Sequence, residues 1–205
     1  MAPSTLLVLL HGVGCVPADM APLGELVAAS APAVRIEAPP AAHPYDLGPR
    51  GHQWFSVDGI DEDNRPARIR AALPVFVETI RALQRRHGVG PEETVLAGFS
   101  QGAIMALAAG VDGWLARHAI AIAGRFAPLP QRWDARTAVS LVHGRMDGVI
   151  AAERSRQAAE RLALLGARVG LELVPRAVHA LSAPVLDAAL RAFHQAPASA
   201  APVIG

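Results

Sequence analysis

A serine between two glycines, Gly98-x-Ser100-x-Gly102, has the clearest chemical potential in this chain of 205 residues. An apolar run, Thr94–Phe99, leads directly into it, and a helix-like segment, Gln101–Gly110, follows at once. A serine on a sharp strand-to-helix turn has a strained backbone, and small residues two positions before and after it leave the necessary room. The turn lifts the hydroxyl above the sheet edge, where the helix N-terminus favours developing negative charge. The setting therefore predicts that Ser100 is a nucleophile rather than part of a plain tight turn.

A neutral serine needs a base, and the candidates are the histidines that follow it in the chain. These are His118, His143, His179 and His194. His118 opens a predicted strand and is expected to be structural, His143 ends one and is expected to pack in a loop, and His194 lies in a solvated stretch near the end of the last helix. His179 follows the last strand, and sites of α/β sheets assemble in loops at the carboxyl ends of strands. We therefore predict that His179 is the base.

The base needs an orienting carboxylate, and the candidates lie between the serine and the histidine. These are Asp112, Asp134 and Asp147. Asp112 follows a helix and is expected at the opposite edge of the sheet, whereas Asp134 lies in a polar loop. Asp147 follows the strand Ala138–Val142 through a short loop, so it too is expected at a carboxyl end. We predict that Asp147 orients His179; the alternative is an aspartate that only caps its loop.

An oxyanion needs backbone donors on both sides of the nucleophile. The N–H of Gln101 is one predicted donor, and the loop after the first strand supplies Val13 as the other. His11 in that loop precedes Ser100, which is the wrong order for the base, and is expected to be structural. Cys15 is the one rival nucleophile, but it lacks a strand–turn–helix setting, and a lone cysteine usually packs as a small apolar residue.

The elements that must position these residues are visible as apolar runs alternating with amphipathic stretches. The predicted strands are Thr5–Leu10, Ala33–Glu37, Thr94–Phe99, His118–Ala123, Ala138–Val142 and Arg168–Val174. The predicted helices are Asp19–Ser30, Asn64–Arg86, Gln101–Gly110, Ala151–Leu165 and Ser182–His194. Most strands are apolar at nearly every position, as a sheet covered on both faces requires. The alternation predicts an α/β fold with a mostly parallel, doubly wound sheet flanked by helices.

Three local features refine this picture. Asn64 is a plausible cap for the helix that it opens. Pro74 lies inside the same helix and is expected to bend or split it. The segment Pro39–Gly59 has no periodicity and is long for a plain connection, so we expect a functional loop.

Composition limits the function classes. A chain of this length with 52% hydrophobic residues predicts one domain over residues 1–195, with an Ala/Pro-rich tail at 196–205. The net charge of +1 has no basic stripe, so nucleic acid is not an expected partner. All 19 basic residues are arginine, which excludes Schiff-base and Ser–Lys chemistry. A single cysteine and an N-terminus without a signal core or membrane span favour a cytoplasmic location without membrane insertion.

The chain resembles the phospholipase/carboxylesterase family, which includes acyl-protein thioesterases, and is most similar to its bacterial serine-esterase branch. The resemblance rests on Leu10–Gly14, Gln53–Gly59, Gly98–Ala103, His143–Ile150 and His179. It implies an α/β-hydrolase fold without a large lid, a Ser100–Asp147–His179 triad, oxyanion donors at Val13 and Gln101, and no metal or organic cofactor. Two positions depart from the family pattern: Cys15 stands where an acidic residue is frequent, and Val178 stands where many members have glycine.

The expected activity is hydrolysis of small, short-chain carboxylic esters through an acyl-enzyme. The nearest alternative is a thioesterase or lysophospholipase for long acyl chains; a peptidase and a non-catalytic binding module are more distant. Trp54 and Phe55 either line the substrate pocket or anchor their loop to the body of the protein. Arg125 either meets a polar substrate group or is solvated, and we favour the second. Oligomeric state is open, although related folds often form homodimers.

Overall fold

The fold comes from a computed structural model that describes residues 5–195. The strands in this range are β1 (Leu6–Leu10), β2 (Arg35–Glu37), β3 (His43–Pro44), β4 (His52–Gln53), β5 (Thr94–Phe99), β6 (His118–Ile122), β7 (Ala138–Gly144) and β8 (Val169–Val174). The helices are α1 (Ala21–Ser30), α2 (Arg65–His87), α3 (Gln101–Asp112), α4 (Glu153–Leu164) and α5 (Ala183–His194). None of the described helices is long and apolar enough to cross a membrane.

Six strands form one sheet in the order β2-β1-β5-β6-β7-β8, and every neighbouring pair is parallel. The chain moves from β1 outward to β2 and then returns to the other side of β1 to place β5. The loops that follow β1 and β5 therefore diverge around a crevice, which is where open α/β sheets bind ligands. Leu10 at the end of β1 pairs with Gly98 near the end of β5, so the predicted donor loop meets the predicted nucleophile turn.

Helices cover both faces of the sheet because the central strands are apolar on both. Leu7 and Leu9 of β1 pack in the cluster formed with α1 and α5. Leu6, Val8 and Leu10 of the same strand pack in the cluster formed with α2 and α3. This alternation is the two-residue period of a strand. The predicted doubly wound sheet flanked by helices is confirmed.

The predicted elements are present, with bounds shifted by a few residues. All six predicted strands lie in the sheet, and each of the five predicted helices has a counterpart. The start of the first predicted helix is a 3₁₀ turn, Pro17–Met20, that runs into α1. Asn64 precedes α2, but its side chain does not cap the helix; it bonds Gly59 and Asp61 in the preceding loop instead. The tail predicted at 196–205 lies outside the described residues.

Of the two outcomes predicted at Pro74, a bend or a split, the split does not occur, since α2 continues through it from Arg65 to His87. A proline inside a helix costs about 3 kcal/mol. Phe76, Ile80 and Leu83, which follow Pro74, bury the inner face of α2 in the core. Each such side chain contributes about 1.5–3 kcal/mol when fully buried, so packing outweighs the lost hydrogen bond.

The segment between β2 and α2, predicted as a functional loop, contains the antiparallel pair β3–β4. Residue 52 in this hairpin also bridges to the loop after β1. The N–H of Gly14 donates to the carbonyl of His52 (2.9 Å), and the N–H of His52 donates to the carbonyl of Cys15 (2.9 Å). The hairpin is thereby fixed against the loop that carries Val13.

Candidate active site

Ser100 lies on the turn between β5 and α3 with φ 52° and ψ −114°. This backbone is strained for a residue with a side chain, as the Gly-x-Ser-x-Gly pattern predicts. The turn is also crowded: a Cβ on Gly102 would overlap the carbonyl oxygen of Leu10 in the neighbouring strand. Glycine is therefore required where the turn presses against β1.

The structure brings together the three residues that sequence reasoning grouped. His179 Nε2 lies 2.9 Å from Ser100 Oγ, and His179 Nδ1 lies 2.6 Å from Asp147 Oδ2. A carboxylate only accepts hydrogen bonds, so Nδ1 carries the proton and Nε2 is free to accept from the serine hydroxyl. The exposed Val178 next to His179 does not keep the ring from either partner. The three side chains form one hydrogen-bonded chain at the carboxyl edge of the sheet.

Asp147 is a fully buried carboxylate with a dense set of donors. Its Oδ1 accepts from the N–H groups of Val149 (2.8 Å) and Ile150 (2.9 Å), and its Oδ2 accepts from His179. Burial acts to raise the pKa of Asp147, yet the hydrogen bonds from His179, Ile150 and Val149 outweigh it and leave this pKa lowered. The group is therefore ionised at neutral pH and can hold an imidazolium.

The loop after β1 reaches the serine from the other side of the crevice. A Cβ on Gly12 would lie 3.4 Å from Ser100 Cβ, so the backbone that leads into Val13 is close to Ser100. Gln101 is the first residue of α3, and its N–H therefore has no acceptor within the helix. Within residues 5–195, neither the Gln101 nor the Val13 N–H donates to another group. The backbone N–H groups of Gln101 and Val13 therefore stay the predicted oxyanion donors.

The sequence profile of the phospholipase/carboxylesterase family matches residues 1–194. The chain belongs to this family. The resemblance drawn from the five motifs is confirmed by this match, which spans all of them.

Individual relatives support the same conclusion. Esterase YpfH of Escherichia coli (strain K12) is 42% identical over 177 residues, which cover 86% of this chain and 76% of that protein. Acyl-protein thioesterase 1 of Gibberella zeae is 29% identical, covering 69% of this chain and 67% of that protein. The crystal structure of esterase PE8 has a TM-score of 0.85 at 30% identity, covering 96% and 94% of the two chains. The fold is therefore the α/β-hydrolase fold, and the protein is a carboxylic ester hydrolase.

His143 makes a contact in this esterase that sequence reasoning did not predict. It was expected only to pack in its loop, but its fully buried Nε2 lies 3.2 Å from Asp147 Oδ2 and 2.8 Å from the carbonyl of Ile150. Both partners are acceptors, so Nε2 carries a proton, and Nδ1 faces the hydroxyl of Ser155 at 2.7 Å. His143 thus lies against the same carboxylate oxygen that His179 contacts. The sequence feature that could have predicted this contact is the spacing of four residues between His143 and Asp147 across a tight turn.

Trp54 and Phe55 are both buried and anchor their segment to the esterase body. The N–H of Trp54 donates to Gln101 Oε1 (2.7 Å), and Gln101 Nε2 donates to the carbonyl of Phe55 (2.7 Å). The indole Nε1–H of Trp54 donates to the carbonyl of His11 (3.0 Å). The segment is therefore tied both to the nucleophile turn and to the loop after β1. Both residues also border a cavity of about 680 Å³, so a role in substrate binding stays a prediction.

Cys15, the rival nucleophile, lies where its thiolate is not favoured. Burial and the nearby carboxylate of Asp19 raise the pKa of the Cys15 thiol, which disfavours the reactive thiolate.

The expectation that Arg125 is merely solvated is wrong. Its guanidinium forms a two-point ion pair with Glu62, at 2.8 and 2.5 Å, and its side chain is only 11% exposed.

Proposed function

We propose that this protein is a serine carboxylesterase that hydrolyses short-chain carboxylic esters through an acyl-enzyme on Ser100. The single observation that carries the proposal is the continuous hydrogen-bonded chain from Ser100 through His179 to Asp147. A serine hydroxyl is a weak nucleophile unless a base removes its proton, and this chain supplies the base in the required tautomer.

The geometry supports a two-step reaction. His179 Nε2 takes the proton of Ser100 as Oγ attacks the ester carbonyl, and buried Asp147 stabilises the resulting imidazolium. The N–H groups of Val13 and Gln101 stabilise the oxyanion of the tetrahedral intermediate. His179 then protonates the leaving alcohol, and in the second step it activates the water that releases the acid.

The proposed preference for short acyl chains is supported by the size of an apolar cavity beside the helix that follows Ser100. That cavity, of about 260 Å³, includes Ile104 in the first turn of α3, whose N–H donates to the carbonyl of Ser100. Pockets for drug-sized ligands have volumes of roughly 300–1,000 Å³, so this one suits a small group. A thioesterase or lysophospholipase acting on long chains is the alternative, which the thioesterase relative keeps open.

Fluorophosphonate labelling combined with ester hydrolysis tests the nucleophile. We expect Ser100→Ala to abolish labelling and to lower kcat for p-nitrophenyl butyrate by about 10⁴-fold or more, while the unfolding temperature changes little. Ser30→Ala, at an exposed serine on the opposite helix layer, is the matched control and should label and turn over normally. Undiminished labelling of Ser100→Ala would refute the assignment. A kcat/KM that is higher for palmitoyl than for butyryl esters would refute the short-chain preference.

A further inference from the structure

Three arginine side chains converge on one carboxylate beside the candidate active site. Glu62 forms the two-point pair with Arg125, and its oxygens also lie 3.5 Å from Arg65 Nη2 and 3.6 Å from Arg154 Nη2. The three residues come from separate elements: the start of α2, the loop after β6 and the first turn of α4. We call Arg65, Arg125 and Arg154 the arginine cluster.

Two of the three arginines are largely buried, whereas the carboxylate is exposed. The side chains of Arg125 and Arg65 are 11% and 18% exposed, but that of Glu62 is 58% exposed. Arg125 is further fixed by donating its Nε–H to the carbonyl of Phe126. The Nε–H of Arg65 is buried and has no acceptor among the described residues. A guanidinium donor that is buried without a partner is costly, so the cluster has unused capacity for an anion.

The local charge is unbalanced. The charged groups that act on the pKa of Glu62 are the three arginines, and together they hold it at about 2. The charged groups that act on the pKa of Arg65 are Arg125 and Arg154, which lower it, and Glu62, which raises it. The neighbouring carboxylate of Asp61 accepts from backbone N–H groups of its own loop. One carboxylate therefore faces three permanent positive charges.

The arginine cluster opens on the edge of the sheet where Ser100 lies. Arg125 comes just after β6, whose last residue, Ile122, accepts from the N–H of Ser100 (2.9 Å). Arg154 follows the loop that carries Asp147. Arg125, Arg154 and Glu62 line a cavity of about 350 Å³. This cavity shares the wall residues Phe126 to Leu129 with the apolar cavity that contains Ile104.

We propose that the arginine cluster binds a carboxylate group of the ester substrate, and that Glu62 occupies the cluster when no substrate is bound. This inference rests on the proposed function, since it names the class of ester that the Ser100 site takes. Guanidinium groups match a carboxylate in a planar, two-point geometry, which Glu62 already displays with Arg125. Glu62 is exposed enough to turn into solvent when a substrate carboxylate takes over its ion pairs, whereas Arg65 and Arg125 are largely buried and stay in place.

The test compares esters that differ only in charge. The acyl arm uses the p-nitrophenyl monoester of glutaric acid against the same compound with its free carboxyl methylated. The alcohol arm uses O-butyrylglycolate against O-butyrylglycolamide. We expect wild-type enzyme to prefer the anionic member of at least one pair by about 10-fold in kcat/KM at low ionic strength, and the arm that responds identifies which part of the ester carries the carboxylate.

Arg154→Gln and Glu62→Gln probe the arginine cluster in opposite directions. We expect Arg154→Gln to lower the anionic-to-neutral ratio about 5-fold or more, and Glu62→Gln to raise it, because the competing carboxylate is gone. Both positions are substantially exposed, so these variants should fold. Arg156→Gln, on the same helix and paired with Glu153 alone among the described residues, is the matched control for the loss of one charge. Equal ratios in the Arg154 and Arg156 variants, or a Glu62 variant with an unchanged or lowered ratio, would overturn the proposal.

Failure of this inference is separable from failure of the proposed function. Hydrolysis of both neutral esters and labelling of Ser100 would persist if only the carboxylate preference were absent. If Ser100→Ala kept full activity, the arginine cluster would still be testable by calorimetric titration of that variant with glutarate. Binding there must weaken in Ser100→Ala/Arg154→Gln and hold in Ser100→Ala/Arg156→Gln; any other pattern contradicts the site.

Discussion

The side chain of Gln101 lends itself to a sharp test, because it ties the Trp54–Phe55 segment to the nucleophile turn without taking part in the chemistry. Its amide accepts from the N–H of Trp54 and donates to the carbonyl of Phe55, both at 2.7 Å, and it is only 3% exposed. Gln101→Ala removes both bonds and leaves in place the backbone N–H that is proposed to stabilise the oxyanion. The variant therefore tests whether activity falls when the backbone N–H of Gln101 is displaced but not removed.

The expected magnitude follows from the groups left without partners. A buried donor or acceptor that loses its partner costs about 1–3 kcal/mol, so two such groups cost roughly 2–6 kcal/mol. Each kcal/mol lowers the Tm of a domain of this size by about 2–4 °C, which gives a drop of at least about 4 °C. Complete loss of an oxyanion donor costs about 10²–10³-fold in kcat. Displacement of the donor by a loosened turn should cost less, about 10- to 100-fold, with KM little changed.

Thermal unfolding and steady-state hydrolysis of p-nitrophenyl butyrate measure the two effects in the same samples. Gln195→Ala, which makes the same change at an exposed position after α5, should shift neither Tm nor kcat. If Gln101→Ala kept the Tm and kcat of the control, the two bonds would not hold the turn, and the reasoning would be refuted. A lowered Tm with unchanged kcat would restrict Gln101 to a purely structural role.

Two further predictions concern buried histidines. His143→Ala should lower kcat about 10- to 100-fold with little change in KM, because the loop that carries Asp147 loses the buried hydrogen bond from His143 to the carbonyl of Ile150 and the contact with Asp147 Oδ2; an unchanged kcat would contradict this role. His118 is buried against Ser140, with its Nδ1 unpaired within the described part of the chain, and burial lowers its pKa to about 3. Because the unfolded chain takes up a proton below its ordinary pKa of 6.5 and the folded chain does not, the stability from this group is complete above pH 6.5 and is lost as the pH falls toward 3. Urea unfolding should show about 2 kcal/mol more loss between pH 7 and 5 in the wild type than in His118→Gln, and equal losses would contradict the assignment.

The parts of the structure that the sequence predicted are those with strong local patterns. Continuous apolar runs predicted the sheet, and the Gly-x-Ser-x-Gly pattern predicted the strained strand-to-helix turn at Ser100, because strand burial and turn sterics act over a few residues. His179 and Asp147 followed from one topological rule, that loops at the carboxyl ends of parallel strands meet at one edge.

The features that were missed depend on pairings between distant parts of the chain. Glu62 and Arg125 are separated by 63 positions, and nothing near either residue indicates the other. Gln101 and Trp54 are 47 positions apart and meet only because the β3–β4 hairpin lies against the loop after β1. The continuity of α2 at Pro74 has a related reason: the local cost of proline was known, but the core contacts of α2 that offset it were not.

The parallel sheet also has a consequence for how the enzyme folds. Ser100 and His179 are 79 positions apart, and every strand pair in the main sheet joins segments separated by a crossover. Closing such long loops costs chain entropy before the stabilising long-range contacts form, and topologies of this kind therefore fold slowly. The proposed triad is complete only after β5, β7 and β8 have all assembled. Recovery of activity after dilution from denaturant therefore reports completed folding. Recovery of the helical circular-dichroism signal reports only local secondary structure.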